Sequence, residues 1–436
     1  MRMHEPSVLE VNLSAIDQNV AAIRRLVGPD CRLCPIVKAD AYGLGAARVA
    51  RRLATAGAEM VAVYSLPQAA ELGLADLPVP VLVLMPIAEM RRGDETARML
   101  LSGRLHLTVH DLHQLEAIEA IAEGFATRIP VHVEVDTGMS RGGALPRDAA
   151  ALIERVATGR HCQLKGIFTH FANSRVDRDA TDAQIARFDD LLRATSALIP
   201  ADCMIHVAST YALFRSARYH RSMVRFGLAW AGYGLEELEG AELELGTDFL
   251  RPCLRWRSRI VQVKRIETGT PVGYGSRWIA KRPSTIGLIP VGYADGFPVM
   301  RGPTPGTEDA PQRLAILRET PRGIEREYAS VVGTVNMDQI TVDLTDCELL
   351  NQPNGGVGLT VELVTPDASA PNHLPRLAQR SGMIPHEMLC RIHPRIPRLY
   401  VVDGAVSGAE GVSPIATAAP VAATESARSG GVAAAG

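Results

Sequence analysis

Lys38 stands at the end of a short apolar run, in Pro35-Ile36-Val37-Lys38-Ala39-Asp40-Ala41-Tyr42-Gly43-Leu44-Gly45. Pro-Ile-Val reads as a buried strand, and the glycine-bearing segment after it reads as a turn into a helix. An amine at a strand end is held by a rigid element and aimed at solvent or ligand. Burial there can lower its pKa until it forms a Schiff base or acts as a general base. Taken alone, a lysine there far more often marks an exposed strand end, and it is the rest of the chain that reverses those odds. Two other patterns carry less chemistry. Cys31 and Cys34 form a C-x-x-C with no second pair at zinc spacing, and the odd total of seven cysteines fits reduced thiols. His106, His110 and His113 lack a carboxylate or cysteine at a matching distance, so they read as solvated or hydrogen-bonded histidines and no metal is expected.

The elements that would position Lys38 alternate in type. Strand-like segments lie at Pro35–Lys38, Met60–Tyr64, Val79–Met85, Arg104–Val109, Val131–Val135, Leu164–Thr169, Met204–Ala208 and Met223–Phe226. Amphipathic stretches separate them, among them Ala46–Ala56, Pro67–Leu74, Asp111–Ala122 and Asp182–Leu198. Eight strand–helix units in 200–250 residues predict an α/β fold, a (β/α)8 TIM-type barrel over residues 14–240. A doubly wound sheet explains the number eight less well. Beyond residue 245 the pattern becomes β-branched and alternating at Leu254–Ile266, Ser284–Tyr293, Ala329–Leu344 and Leu359–Val364, with one helical segment at Leu374–Arg380. This predicts an antiparallel, barrel-like second domain over 245–404. The strand Ser7–Leu13 could join either domain. Residues 405–436, rich in Ala, Gly and Ser, are expected to be disordered.

Composition bounds the function. A hydrophobic content of 47% supports full cores, and a formal net charge of -2 gives no nucleic-acid footprint. The longest apolar stretch, Val79–Ala88, is too short to span a bilayer, and the N-terminus lacks a signal-peptide h-region. A soluble cytoplasmic protein is expected.

Active sites of such barrels lie at the C-terminal ends of the strands. Those ends carry Lys38 after the first strand and Asp136 to Arg141 after the fifth. They carry His170 after the sixth, Ser209-Thr210 after the seventh and Arg225-Phe226-Gly227 after the eighth. Loops after strands seven and eight are the usual phosphate position; Ser209 offers a hydroxyl and Gly227 lets backbone amides approach an anion. An amine, a phosphate cradle and an arginine around one pocket fit pyridoxal 5'-phosphate, PLP.

Val37-Lys38-Ala39-Asp40-Ala41-Tyr42-Gly43 resembles the PLP-lysine signature of the alanine racemase family. The resemblance continues at Asp136-Thr137-Gly138-Met139-Ser140-Arg141, Thr169-His170-Phe171-Ala172, Gly273-Tyr274-Gly275, Pro290-Val291-Gly292-Tyr293-Ala294-Asp295-Gly296 and Met337-Asp338. It spans about residues 7 to 402. It implies an amino-acid racemase interconverting L- and D-alanine, supplying D-alanine for cell-wall peptidoglycan, and a homodimer with shared sites. Lys38 would carry PLP and act as one base, with Tyr274 the base on the opposite face of the substrate Cα. Tyr42, Ser209 and the amides of Gly227 and Leu228 would hold the phosphate. Arg225 would donate to the pyridine nitrogen, and Arg141 and the Met337 amide would bind the substrate carboxylate. His170 would lie under the cofactor ring and link Arg225 to Tyr274, and Tyr293 would line the entrance. Lysine and tyrosine have high reference pKa values, so each must be shifted to work near neutrality. Arginine is not deprotonated, so Arg225 would leave the pyridine nitrogen unprotonated and the electron sink weak.

Three positions depart from the family's commonest pattern. Glu134 stands where members often carry a carbamylated lysine, and it could supply the same charge to orient Arg141. Asn336 replaces a cysteine before Met337. Pro394 falls where many members have a tyrosine, which opens the side-chain pocket. A racemase of broader scope, acting also on serine, is therefore the nearest alternative. A PLP-dependent decarboxylase of the same plan lacks its cysteine–aspartate motif here. A single-domain PLP carrier would lack residues 245–402.

Overall fold

The computed structural model describes residues 5–236, 238, 243, 245, 246, 248–299 and 311–410. The chain opens with β1 (Ser7–Asn12) and then lays down eight parallel strands. These are β2 (Arg32–Pro35), β3 (Val61–Val63), β4 (Val81–Val83), β5 (Leu105–Val109), β6 (Ile129–Glu134), β7 (Cys162–Phe168), β8 (Met204–His206) and β9 (Met223–Phe226). Strands β3 to β8 form one continuous ladder, and β2 pairs with β9. Two junctions close the ring. The Ile36–Ala62 bridge and the bond from the Val37 amide to the Ala62 carbonyl join β2 to β3. Bonds from Arg225 to Ala208 and from Ser222 to Ile205 join β9 to β8. The eight expected strands are all present. They read as near-continuous apolar runs because both faces are covered; every residue of β3, β4, β5, β6 and β9 is buried.

Helices wrap the ring, each started by a local signal. Asn12, Asp94, Asp111 and Asp177 cap the helices Leu13–Val27, Glu95–Leu101, Leu112–Gly124 and Arg178–Ala194 by accepting a bond from an amide of the first turn.

After residue 250 the chain forms β10 (Leu254–Arg259), β11 (Gln262–Ile266), the short ribbon β12 (Pro271–Val272) and β13 (Trp278–Ile279), and β14 (Ser284–Ile289). It continues with β15 (Arg313–Thr320), β16 (Gly323–Val331), β17 (Ile340–Asp343), β18 (Thr360–Val364), β19 (Arg398–Val402) and β20 (Ala405–Glu410). Apart from the β12–β13 ribbon they build one sheet with β1, in the order β11-β14-β17-β16-β15-β18-β10-β1-β19-β20. All its pairings are antiparallel except β1 with β19. The alternating burial of β10 is that of a strand with one covered face.

The structure refines several expectations. β1 belongs to the C-terminal sheet, where Trp256 Nε1 donates to Ser7 Oγ at 2.6 Å. The run Leu254–Ile266 breaks at Ile260-Val261 into β10 and β11. The hairpin strand β15 and the helix Pro385–Arg391 carry no clear periodicity and were not expected. The first barrel strand ends at Pro35 rather than reaching Lys38. Ala405–Glu410, expected to be disordered, is a strand because its backbone completes the edge of β19; residues 411–436 of that expected tail lie outside the described residues.

Candidate active site

Lys38 opens a turn of rare shape. Ala39, Asp40, Ala41 and Tyr42 have φ of 53°, 55°, 51° and 58°, a left-handed helical turn of four L-residues. Each such residue costs roughly 1–2 kcal/mol, so the conformation must be imposed from outside. Within the turn, Asp40 Oδ1 accepts from the Ala46 amide at 2.6 Å, which also starts the helix Ala46–Thr55. From the C-terminal domain, Arg398 Nε donates to the Gly43 carbonyl and Tyr400 Oη to the Leu44 carbonyl, at 3.1 and 3.0 Å. The helix Pro385–Arg391 packs on the same turn. It brings His386 edge-on to the Tyr42 ring, with centroids 5.7 Å apart.

Burial lowers the pKa of Lys38, and the Arg141 guanidinium lowers it further, against a small opposing effect of Cys390. Both effects favour the neutral amine, the form that can act as nucleophile or base. Arg141 follows β6 on a loop that Asp136 organises: Asp136 Oδ1 accepts from the amides of Gly138, Met139 and Ser140 at 2.9–3.0 Å. The expected pairing of Glu134 with Arg141 is not what forms. Buried Glu134 places Oε2 3.2 Å from His110 Nδ1, and that nitrogen also lies 3.1 Å from the Gly143 amide. Glu134 faces His110 at the end of β5, and the loop that carries Arg141 is held to β6 by backbone bonds, the Ala144 amide donating to the Glu134 carbonyl.

Arg225 is buried beneath the mouth. Its NH1 donates to His206 Nδ1 at 2.6 Å and to the His206 carbonyl at 2.9 Å. Its NH2 donates to the Thr169 carbonyl at 2.9 Å and lies 3.5 Å from His170 Nδ1. The guanidinium also lies over the Phe168 ring. Burial draws its pKa down to about 10, so it stays cationic at neutral pH. Burial and the charges of Arg225, Arg141 and Lys38 push His170 down to about 3, leaving it neutral.

The turns after β8 and β9 converge. Ser209 precedes the helix Thr210–Arg215, and Gly227 precedes the turn Leu228–Ala231. The Gly227 amide donates to Thr210 Oγ1 at 3.0 Å, and Ser209 Oγ lies 3.4 Å from Ser174 Oγ. The first amides of a helical turn, Leu228 among them, have no intrahelical acceptor. Tyr42 stacks on Trp230, centroids 5.7 Å apart at 7°, and Trp230 Nε1 donates to the Ile36 carbonyl. A Cβ on Gly227 would meet Tyr42 Oη at 2.2 Å, so only glycine admits the hydroxyl there. The Ser209 hydroxyl, the Leu228 amide and a cradle that a methyl group would fill suit a phosphate, although the Gly227 amide expected there is already bonded to Thr210 Oγ1, and a cationic Arg225 with a neutral-leaning Lys38 suits the ring and carbonyl of PLP. These residues fit the cofactor that the sequence resemblance implies.

Lys38, Tyr42, Arg141, His170, Ser209, Arg225, Gly227 and Leu228 thus all lie at the C-terminal mouth of one barrel. Tyr274 and Met337 do not join them. Tyr274 tips the β12–β13 ribbon, 76% exposed, with its carbonyl accepting from Thr334 Oγ1. Met337 is 55% exposed in the loop between β16 and β17, and the Ala294 amide donates to its carbonyl. Tyr293 donates its amide to the Asn336 carbonyl, so Tyr293, Asn336 and Met337 form one ledge of the C-terminal domain. Among the described residues no hydrogen bond or ion pair joins this ledge to Lys38. Sequence reasoning missed His206, Trp230 and His386, and read His110 as a solvated or hydrogen-bonded histidine with no place in the site. His206 and Trp230 lie beside motif residues, but their partners are fixed by register across strands.

Known proteins share this two-domain fold. Residues 11–235 match the family described as alanine racemase, N-terminal domain, and 253–400 the one described as alanine racemase, C-terminal domain. Alanine racemase of Desulfovibrio desulfuricans is 32% identical over 91% of this chain and 98% of its own length. That of Desulforamulus reducens is 33% identical over 92% and 100%. The structure of alanine racemase from Clostridium difficile 630 superposes with a TM-score of 0.78 at 26% identity, covering 94% of this chain and 99% of that one. The Bartonella henselae enzyme, solved with covalently bound pyridoxal phosphate, gives 0.73 at 25% identity over 91% and 100%. Motifs, barrel mouth and likeness along the whole described chain agree, and the chain belongs to the alanine racemase family.

Proposed function

We propose that this chain is a PLP-dependent alanine racemase, interconverting L- and D-alanine with Lys38 and Tyr274 as its two bases. The observation that carries the reading is the convergence at one barrel mouth of a neutral-leaning Lys38, Arg141 and the Gly227 cradle under Tyr42. PLP bound there supplies the electron sink that makes the substrate Cα–H acidic. Lys38 Nζ binds the cofactor and handles the proton on one face of Cα. Tyr274 Oη handles it on the other face, contributed by a partner subunit across a homodimer interface made by the exposed ledge. Arg141 and the Met337 amide bind the substrate carboxylate, and Tyr42, Ser209, Gly227 and Leu228 hold the phosphate. Arg225, cationic and already bonded to His206, donates to the ring nitrogen. His170 lies under the ring. Residues 14–240 and 245–404 act as the PLP-binding and β-rich domains, and the product serves peptidoglycan synthesis in the cytoplasm. Among the described residues no helix is long and apolar enough to cross a membrane.

A racemase that also accepts serine is a second reading, favoured by Asn336. Its Oδ1 is shielded from water without a hydrogen-bond partner, beside Met337. The Asn336 amide offers hydrogen bonds that a thiol at this position does not.

The test is a chiral assay of purified protein against a panel of amino acids, followed by borohydride reduction and peptide mapping. The expected result is racemisation of alanine above all others and reduced cofactor on Lys38. Label on another lysine, or no racemisation of alanine, overturns the reading.

A further inference from the structure

A line of histidines crosses the barrel beneath the site, and the proposed reaction does not use it. His206 on β8 faces His132 on β6, which faces His106 on β5. His206 Nε2 lies 3.0 Å from His132 Nδ1, and His132 Nε2 lies 3.0 Å from His106 Nδ1. All three side chains are buried. The far end lies near Arg32 and Lys165, whose charges act on His106. Space for the central ring is built into the sequence. A Cβ on Gly166 would come within 2.1 Å of His132 Nδ1, so glycine on β7 is required for the ring to sit there.

The contacts run in one sense. Arginine can only donate, so Arg225 NH1 compels His206 Nδ1 to accept. The proton of neutral His206 is then on Nε2, which donates to His132 Nδ1. The same logic puts the His132 proton on Nε2, which donates to His106 Nδ1. Three imidazole dipoles therefore align with their negative ends toward the guanidinium. Among the described residues no carboxylate is hydrogen-bonded to Arg225; its acceptors are two carbonyls and imidazole nitrogen, and the Glu134 charge acts on it only without a bond. A carboxylate there would pair with the cation and cancel its field at the mouth. Aligned neutral rings polarise toward the cation and leave its charge intact.

We propose that His132 and His106 are positioning residues which, through His206, hold Arg225 as a fixed cationic donor, with no carboxylate bonded to it, under the cofactor. The functional part rests on the PLP reading above; the alignment of the rings does not. Burial keeps all three neutral, with His106 at about 4 and the other two well below 6.5.

Two measurements test this. In the purified protein labelled with 15N-histidine, all three rings should show a pyridine-type Nδ1 and a pyrrole-type Nε2. A protonated Nδ1, or a tautomer mixture, at any of them overturns the relay. In the holoenzyme, His132→Gln preserves the polarity, because its carbonyl accepts and its amide donates, whereas His132→Leu preserves only the bulk. The Leu variant should lose roughly tenfold in kcat with KM within about twofold, and the Gln variant should stay within about threefold of the parent. If Gln is as damaging as Leu, His132 is packing and the proposal fails. Should neither variant fold, the tautomer pattern in the parent still decides it. Absence of cofactor from a parent with the expected tautomers would sink the PLP reading instead.

Discussion

Lys38 and Tyr274, expected to work on opposite faces of one carbon, have contrasting surroundings. Lys38 is gripped. A left-handed turn presents it, Arg398 and Tyr400 clamp that turn, and Arg141 and burial unsettle its charge. Tyr274 is left standing at the tip of a two-stranded ribbon, three-quarters exposed. One chain gathers the barrel-mouth residues proposed to hold the cofactor and turns Tyr274, proposed as the second base, outward. Exposed aromatic and apolar side chains set among rigid turns are what a subunit contact buries. The contrast fits the proposed site of two copies, with a floor from one and a lid from the other.

The largest expected effects separate the two halves. Lys38→Ala should abolish racemisation, at least about 10⁴-fold, together with borohydride-fixed cofactor. Tyr274→Phe should keep the cofactor and lose about 10²–10⁴-fold as a positioned base does. Co-expressing the two variants breaks or makes the comparison. A mixed dimer would contain one intact site, so the mixture should recover roughly a quarter of parental turnover. No recovery would mean that Tyr274 serves its own barrel.

A smaller effect is expected at the cradle. Gly227→Ala puts a methyl group against Tyr42 Oη. Overpacking of this kind costs roughly 1–3 kcal/mol, so PLP affinity measured by dialysis should fall about 10- to 100-fold, with turnover partly restored at high PLP. Unchanged affinity would remove Gly227 from the cofactor site.

The barrel should also be acid-sensitive. His106 is held at about 4 and His170 at about 3, with His132 and His206 well below 6.5, each mainly by burial. Once unfolded, these histidines take up protons near pH 6.5, so below it the unfolded state binds more protons than the folded one. Stability is then full above about pH 6.5 and falls as pH drops toward 4, by roughly 3 kcal/mol for His106 alone. The Tm should decline over that window, and His106→Gln should shallow the slope. A Tm that is flat between pH 7 and 4.5 contradicts the assignment of neutral buried rings.

The mildest test concerns specificity on the ledge side. Pro394→Tyr should lower the serine-to-alanine ratio in kcat/KM, since one hydroxyl or methylene discriminates by only about 1–3 kcal/mol. An unchanged ratio would show that Pro394 does not face the side chain of the substrate.

Much of this molecule is written locally. The barrel was legible because each buried parallel strand is an apolar run and each helix carries a 3.6-residue stripe. Lys38, Arg141, His170, Ser209, Arg225 and Gly227 were legible because barrel chemistry collects at strand ends, which periodicity locates. The rest depended on contacts distant in sequence. Arg398 and Tyr400 bend a turn more than 350 residues away. His106, His132 and His206 align only because strand register brings three inward positions to one line, and a one-residue slip would turn each ring outward. Glu134 faces His110 rather than Arg141, which the register of β5 beside β6 decides. Sequence determines which residues can do chemistry, because type and period are local properties. Tertiary structure decided which of them share a site, because register, domain clamping and the distance between Lys38 and Tyr274 are properties of the folded whole.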